Sequence, residues 1–283
     1  MAGRAATEFY SSQGAITDPG PHADMYDGLP TDVGELVKIV QGVVIGEPHI
    51  YGAKIPRARV RKETNIRKVE DMLAALKDRD DRPLTFQREP ADRVVGCCRH
   101  FAVMLTSLLR HVGIPARARG GFRTYFHRSK HHDHWICEYW SEGEKRWVRV
   151  DAEIDELRAA KWKVGYDPLD VPAEAFITGG QAWLRCRRGE DKPKSFGVMA
   201  DKWQGGWGFV QAEVLLDLWS LDKVEMLPWD KAGLSEVEFD DLTEEQLELL
   251  DAVAEATAGP TVSRSALREL TGEPGLRPPE FGE

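Results

Sequence analysis

Apolar residues recur at helical spacing over residues 31–45, where Val33, Leu36, Val37 and Val40 fall on one face. The spacing predicts a helix there, with Thr31 or Asp32 as its N-cap. A second amphipathic helix is predicted over 67–79, carrying Val69, Met72, Leu73 and Leu76 on one side. A third follows the doubled cysteine of "GCCRHF": Phe101, Leu105, Leu108 and Val112 keep the period, Gly113 stops it, and Pro115 lies just beyond.

Past Pro115 the period changes from about 3.6 to 2. "ARARGGF" (116–122), "HWICEYW" (134–140) and "RWVRVDAE" (146–153) are short, alternating and rich in Val, Ile, Trp and Tyr. "SEGEK" (141–145) supplies the turn between the last two. Helices followed by an antiparallel meander predict an α+β fold. Residues 155–235 hold Trp162, Trp183, Trp203, Trp207, Trp219 and Trp229 in short segments and read as helices and loops packed on the sheet. A last, acidic helix is predicted over 240–256, with Thr243 and Gln246 as a capping box. Residues 1–30 show no periodicity and read as an extended arm, and the tail from about 258 reads as flexible.

Charge narrows the classes of partner. The net charge of −9 argues against a general nucleic-acid surface, which needs clustered Lys and Arg. One basic strip, Arg117, Arg119, Arg123, Arg128 and Lys130, reads as a solvated strand face, with a rim attracting acidic substrates as the alternative. There is no apolar run of bilayer length and no signal-peptide core, so a cytoplasmic protein with no membrane partner is expected. Cys97, Cys98, Cys137 and Cys186 form no C-x-x-C pair and are expected to be reduced thiols. The pattern leaves the oligomeric state open.

A cysteine at a helix N-terminus sits where backbone N–H groups and the helix dipole favour a thiolate. To act as a nucleophile it needs a base, and the base needs an orienting acid. His134 opens one predicted strand and Asp151 closes the next. They lie 17 residues apart about a midpoint at 142–143, inside the turn, so an antiparallel hairpin would set them opposite one another. Helical spacing does not separate Cys97 from Cys98, because both start an apolar series along the helix.

Gly96-Cys97-Cys98-Arg99-His100-Phe101-Ala102, running on through "LLRHVGIPARARGGF", closely resembles the nucleophile motif of the transglutaminase-like superfamily. "HWICEYW" and Trp147-Val-Arg-Val-Asp151 resemble its next two motifs, in family order and over roughly residues 85–155. The resemblance implies a papain-like core, with the nucleophile helix packed on an antiparallel sheet and extra helices at both ends. It implies Cys98 as nucleophile, His134 as general base and acid, and Asp151 as orienter, with Cys97 left to packing. On this reading 31–235 is the catalytic domain, 1–30 an arm, and 236–283 an acidic helix with its tail. The implied enzyme is a thiol hydrolase (protease or amidase) or acyltransferase working through a thioester on a peptide, protein or small amide. No cofactor or metal is called for.

The chain lacks the EF-hand-like carboxylate loops of calcium-dependent relatives, so protein cross-linking is not implied. It also reads Asp151-Ala-Glu where the family more often has Asp-Pro-Thr. Glu153 is an alternative acid partner, and Gln87 a candidate second oxyanion donor beside the Cys98 N–H. Arg99 and His100 are either cleft-lining or surface residues. Two rival classes remain: a non-enzymatic binding module on the same fold, and a metal-dependent hydrolase using His131, His132 and His134.

Overall fold

The computed structural model describes residues 7–127, 129–199 and 202–280. The fold is α+β, and the chain forms two compact units, neither of them continuous in sequence. The first holds Thr7–Ala118 and Ile136–Val171; the second holds Arg119–Trp135 and the chain from Pro172 onward. Among the described residues no helix is long and apolar enough to cross a membrane.

In the first unit the helices follow the apolar periodicity. Helix α1 (Val33–Val43) starts at Asp32, whose carboxylate accepts from the Glu35 N–H at 2.9 Å. Its buried face is Leu36, Val37, Val40 and Val43. The next residues, Val44–Ile45, leave the helix as strand β1. After α2 (Arg57–Glu63) and α3 (Val69–Lys77), strand β2 (Val94–Val95) pairs with β1 in parallel, Val44 with Val94 and Ile45 with Val95. Helix α4 (Cys98–His111) then packs on α1 and α3.

The segment expected to be an extended arm is partly ordered against α4. It contains a 3-10 turn at Gly20–Tyr26 and buries Tyr10, Ile16, Met25 and Tyr26. Tyr26 Oη and Ser107 Oγ share a hydrogen bond of 2.6 Å, and Gln13 donates to the Ser107 carbonyl. Such contacts depend on single side chains reaching single partners, which no periodicity encodes.

Two long strands follow, β3 (Ala116–His127) and β4 (Lys130–Ser141), and the border between the units falls inside each of them. The first unit keeps the β4–β5 hairpin, with β5 at Arg146–Val150 and Lys145 in the left-handed conformation at the turn. Helix α5 (Glu156–Trp162) completes it.

The second unit departs from the expected meander. Its strands run in the order β6-β3-β4-β7-β8, where β6 is Phe176–Thr178, β7 is Phe196–Met199 and β8 is Trp203–Gly205. The β4–β7 pairing is parallel, His131 with Phe196 and His132 with Gly197. The stretch expected to be only helix and loop therefore adds three strands, each too short to show alternation. A Cβ on Gly197 would lie 1.9 Å from the Gln204 carbonyl oxygen, so the β7–β8 ribbon admits only glycine there.

Around these strands stand α6 (Gly179–Arg187), α7 (Trp207–Leu221) and α8 (Glu244–Thr257), the last capped by Thr243 and Gln246 as the sequence predicts. The tail, read from sequence as flexible, forms α9 (Arg264–Gly272) and buries Leu267 and Leu276. The Trp219 indole N–H donates to the Leu276 carbonyl at 2.6 Å.

The basic strip is not a solvated face. Arg117 and Arg119 are buried: Arg117 pairs with Glu138 at 2.7 Å and lies 4.2 Å from the Trp147 ring centroid. Arg119 pairs with Asp217 at 2.7 Å and donates to the Thr257 carbonyl. Arg128 lies outside the described residues.

Candidate active site

The two cysteines of the doubled pair take different places at the start of α4. Cys97 is the N-cap, in extended conformation, and Cys98 is the first helical residue. One helical position therefore separates a thiol that closes the helix from a thiol that opens it. His100, at the third helical position, reaches back so that its Nδ1 accepts the Cys97 backbone N–H at 3.1 Å, with the Cys97 sulfur 3.4 Å away. An accepting Nδ1 leaves the ring proton on Nε2. Burial, with the nearby Arg99 charge second, pushes the His100 pKa down to about 3, so this imidazole is neutral at any working pH. Arg99 and His100 are both fully buried, which removes the surface reading for either.

The chain enters this turn under tight control. The Gly96 N–H donates to the Ile45 carbonyl at 2.9 Å, continuing the β1–β2 ladder by one residue. The Val95 N–H donates to the buried Glu63 carboxylate, whose other oxygen pairs with Arg59 and Arg79. A Cβ on Gly96 would lie 2.6 Å from the His100 Cβ, so only glycine fits. Cys98 thus begins a 14-residue helix from a fixed turn and remains half-exposed. At that position the first-turn N–H groups favour a thiolate and can bind the oxyanion of an attacked carbonyl.

Asp151 lies one residue beyond β5 and is buried. Its backbone N–H donates to the Pro168 carbonyl at 2.9 Å, and its carboxylate accepts from the Glu153 N–H at 3.2 Å. The β4–β5 ladder is offset from the sequence expectation. Cys137 pairs with Val150, so the register runs two residues off the one that would pair His134 with Asp151. The cause is the turn: Ser141 pairs with Arg146, leaving Glu142–Lys145 as the connection and moving its centre one residue later than the expected midpoint. Cys98 and Asp151 fall in the first unit, and His134 in the second.

His134 is a buried residue of β4, its ring 6.5 Å from that of Phe176. Beside it, Asp133 shares a hydrogen bond with the Glu213 carboxyl. Burial pushes the Asp133 pKa up to about 6, against the opposing pull of His134 and Arg123.

The stretch read as a polar loop with a rival metal set is part of β4. Its histidines are engaged with aromatic rings, His131 4.6 Å from Phe196 and His132 5.1 Å from Trp203. Among the described residues no group of three His, Cys, Asp or Glu side chains could hold a metal ion.

Gln87 is exposed and lines a cavity of about 700 Å³ in the first unit, walled by Val37, Gln41, Ile154, Asp155 and Leu169. Cys98 is not part of that wall. Glu153, the alternative acid, is 3.7 Å from the Arg158 guanidinium. Arg158 itself gave no sequence signal: within "ELRAAKW" it looks like any surface arginine of a short helix, yet it is buried.

Residues 52–152 match the family model described as the transglutaminase-like superfamily. A crystal structure of a candidate cysteine protease from Cytophaga hutchinsonii is similar at 16% identity, covering 60% of this chain and 45% of that one, with a TM-score of 0.31. The chain thus spans less than half the length of that protein. No curated protein matches. The stretch similar to that family, 52–152, encloses all three motifs in order and carries Cys98, His134 and Asp151.

Proposed function

We propose that the protein is a cysteine-dependent hydrolase of amide or ester bonds, acting on a peptide, protein or small amide. Cys98 is the nucleophile, His134 its general base and then acid, and Asp151 the group that orients His134. In the forward step the Cys98 sulfur bonds to the substrate carbonyl carbon while its proton passes to His134. Collapse of the tetrahedral intermediate breaks the C–N or C–O bond, and the leaving group departs with that proton. Water, deprotonated by His134, then cleaves the thioester to a carboxylic acid and restores the thiol.

The observation that carries this reading is the register of Cys98 at the first position of α4, behind a turn locked by Gly96, His100 and the β1–β2 ladder. Stabilising an anion at a helix N-terminus is the known route to a reactive cysteine. The family match over 52–152 supports it.

The test is the rate of iodoacetamide alkylation against pH, with each cysteine followed by peptide mass spectrometry. Cys98 should show an inflection well below the ordinary thiol value of about 8.5, moving upward in His134→Ala. An ordinary inflection at Cys98 that His134→Ala leaves unchanged sinks the proposal.

A further inference from the structure

The geometry points to Arg158 as a positioning residue that holds the nucleophile turn and the Asp151 loop at a fixed spacing. The inference rests on Cys98 being the nucleophile.

Arg158 is 1% exposed. Its Nη1 donates to the Glu153 carbonyl at 2.9 Å, and its Nη2 donates to the Gly46 carbonyl at 2.6 Å. Each contact leads to one side of the proposed chemistry. Glu153 donates its backbone N–H to the Asp151 carboxylate. Gly46 follows Ile45, whose carbonyl takes the Gly96 N–H just ahead of the two cysteines. A Cβ added to Gly46 would stand 2.8 Å from Arg158 Nη2 and 3.3 Å from the Gly96 carbonyl oxygen, so guanidinium and nucleophile turn close on the same glycine from two directions.

The face of the guanidinium is occupied as well. It lies 5.5 Å from the ring centroid of Phe101, in the first turn of α4, and 5.4 Å from that of Tyr51. Tyr51 is fixed in turn by a 2.5 Å hydrogen bond to Asp155, the cap of α5.

The shape of the group explains why arginine stands here. Two carbonyls on separate segments are bridged by the two arms of one planar fork, with a ring against the plane. A lysine ammonium keeps the charge but does not span both carbonyls while stacking on Phe101. Arg158 touches no reacting atom. Its effect on chemistry runs through the aim of the first-turn N–H groups at the Cys98 sulfur and through the placement of the Asp151 loop.

The experiment compares pH profiles of Cys98 alkylation for the wild type, Arg158→Lys and Gly46→Ala. Gly46→Ala leaves every charge in place and its Cβ meets Arg158 Nη2 first, at 2.8 Å, with the Glu153 carboxylate and the Gly96 carbonyl at 3.3 Å, so it reports even if Arg158→Lys folds poorly. Both variants are expected to slow Cys98 alkylation at pH 7 about tenfold and to move its inflection toward the ordinary thiol value of about 8.5. A purely structural arginine would change the melting temperature and leave that profile alone. Profiles matching a wild type whose inflection is itself depressed would overturn the role of Arg158 while leaving Cys98 as nucleophile. A wild type with an ordinary inflection would remove the underlying reading instead.

Discussion

Gly96, Cys97 and His100 show how much of the candidate site is decided by single atoms. Cys97 closes the helix, His100 accepts its N–H, and Gly96 leaves room for the His100 Cβ. The motif register pointed to Cys98, and the helix begins at that residue. What the sequence could not convey was the work of His100: an imidazole beside a cysteine invites a catalytic reading, and only its burial shows it to be a neutral structural acceptor. Asp133 carries the prediction at this scale. Its carboxyl is raised from 3.8 to about 6 in the folded chain, so the folded state holds a proton that the unfolded state has released. Stability from this group is therefore intact below about pH 4 and is lost as the pH rises through 6. Asp133→Asn should remove that loss, making the variant gain stability relative to the wild type on going from about pH 4 to about pH 7. Urea melts at the two pH values measure this, and a constant difference between the proteins would refute it.

Helices with a long apolar period were legible; the short helix α9 and strands of three or four residues were not. Helices α1, α3, α4 and α8 lie where the apolar period and the caps place them, because each buries one stripe of a regular spiral. Strands β6, β7 and β8 have no room for a pattern, and they exist because glycine backbones such as Gly197 and Gly205 meet at close range. The offset between His134 and Asp151 was missed for a related reason: turn length moves every cross-strand pair, and "SEGEK" is compatible with either register. The tail gives the prediction for elements. Ending the chain before Ser263 removes the buried Leu267 and Leu276 and the carbonyl that accepts from Trp219. Two lost leucines in a core cost about 2–5 kcal/mol each when they leave a cavity, and less where neighbours collapse. The truncated protein should unfold at clearly lower urea, with altered tryptophan emission from the native state. An unchanged midpoint would show the tail to be dispensable.

Across the whole molecule, charge is arranged to be consumed internally. Arg117 and Arg119 of the one basic strip in an acidic sequence are spent on Glu138 and Asp217, and Glu138 takes Arg149 as well. Removing one partner of such a buried pair strands the other charge, so these positions are structural and not recognition sites. With a net charge of −9 and its best-placed arginines buried, the protein should give no salt-sensitive shift of single- or double-stranded DNA at 0.1 M salt. A retarded band that disappears on raising the salt would contradict this.

The borders that fall inside β3 and β4 have a consequence for synthesis. Neither unit is one unbroken run of chain, so translation delivers them interleaved. The first unit waits for Val171 to emerge from the ribosome, with seventeen residues of the second already made in between, from Arg119 to Trp135. The second waits longer, for the segment that brings Leu276 to Trp219. A nascent chain arrested before Pro172 therefore holds β3 and the start of β4 without the strands β6 and β7 that pair with them, and exposes open strand edges of the kind that recruit other chains.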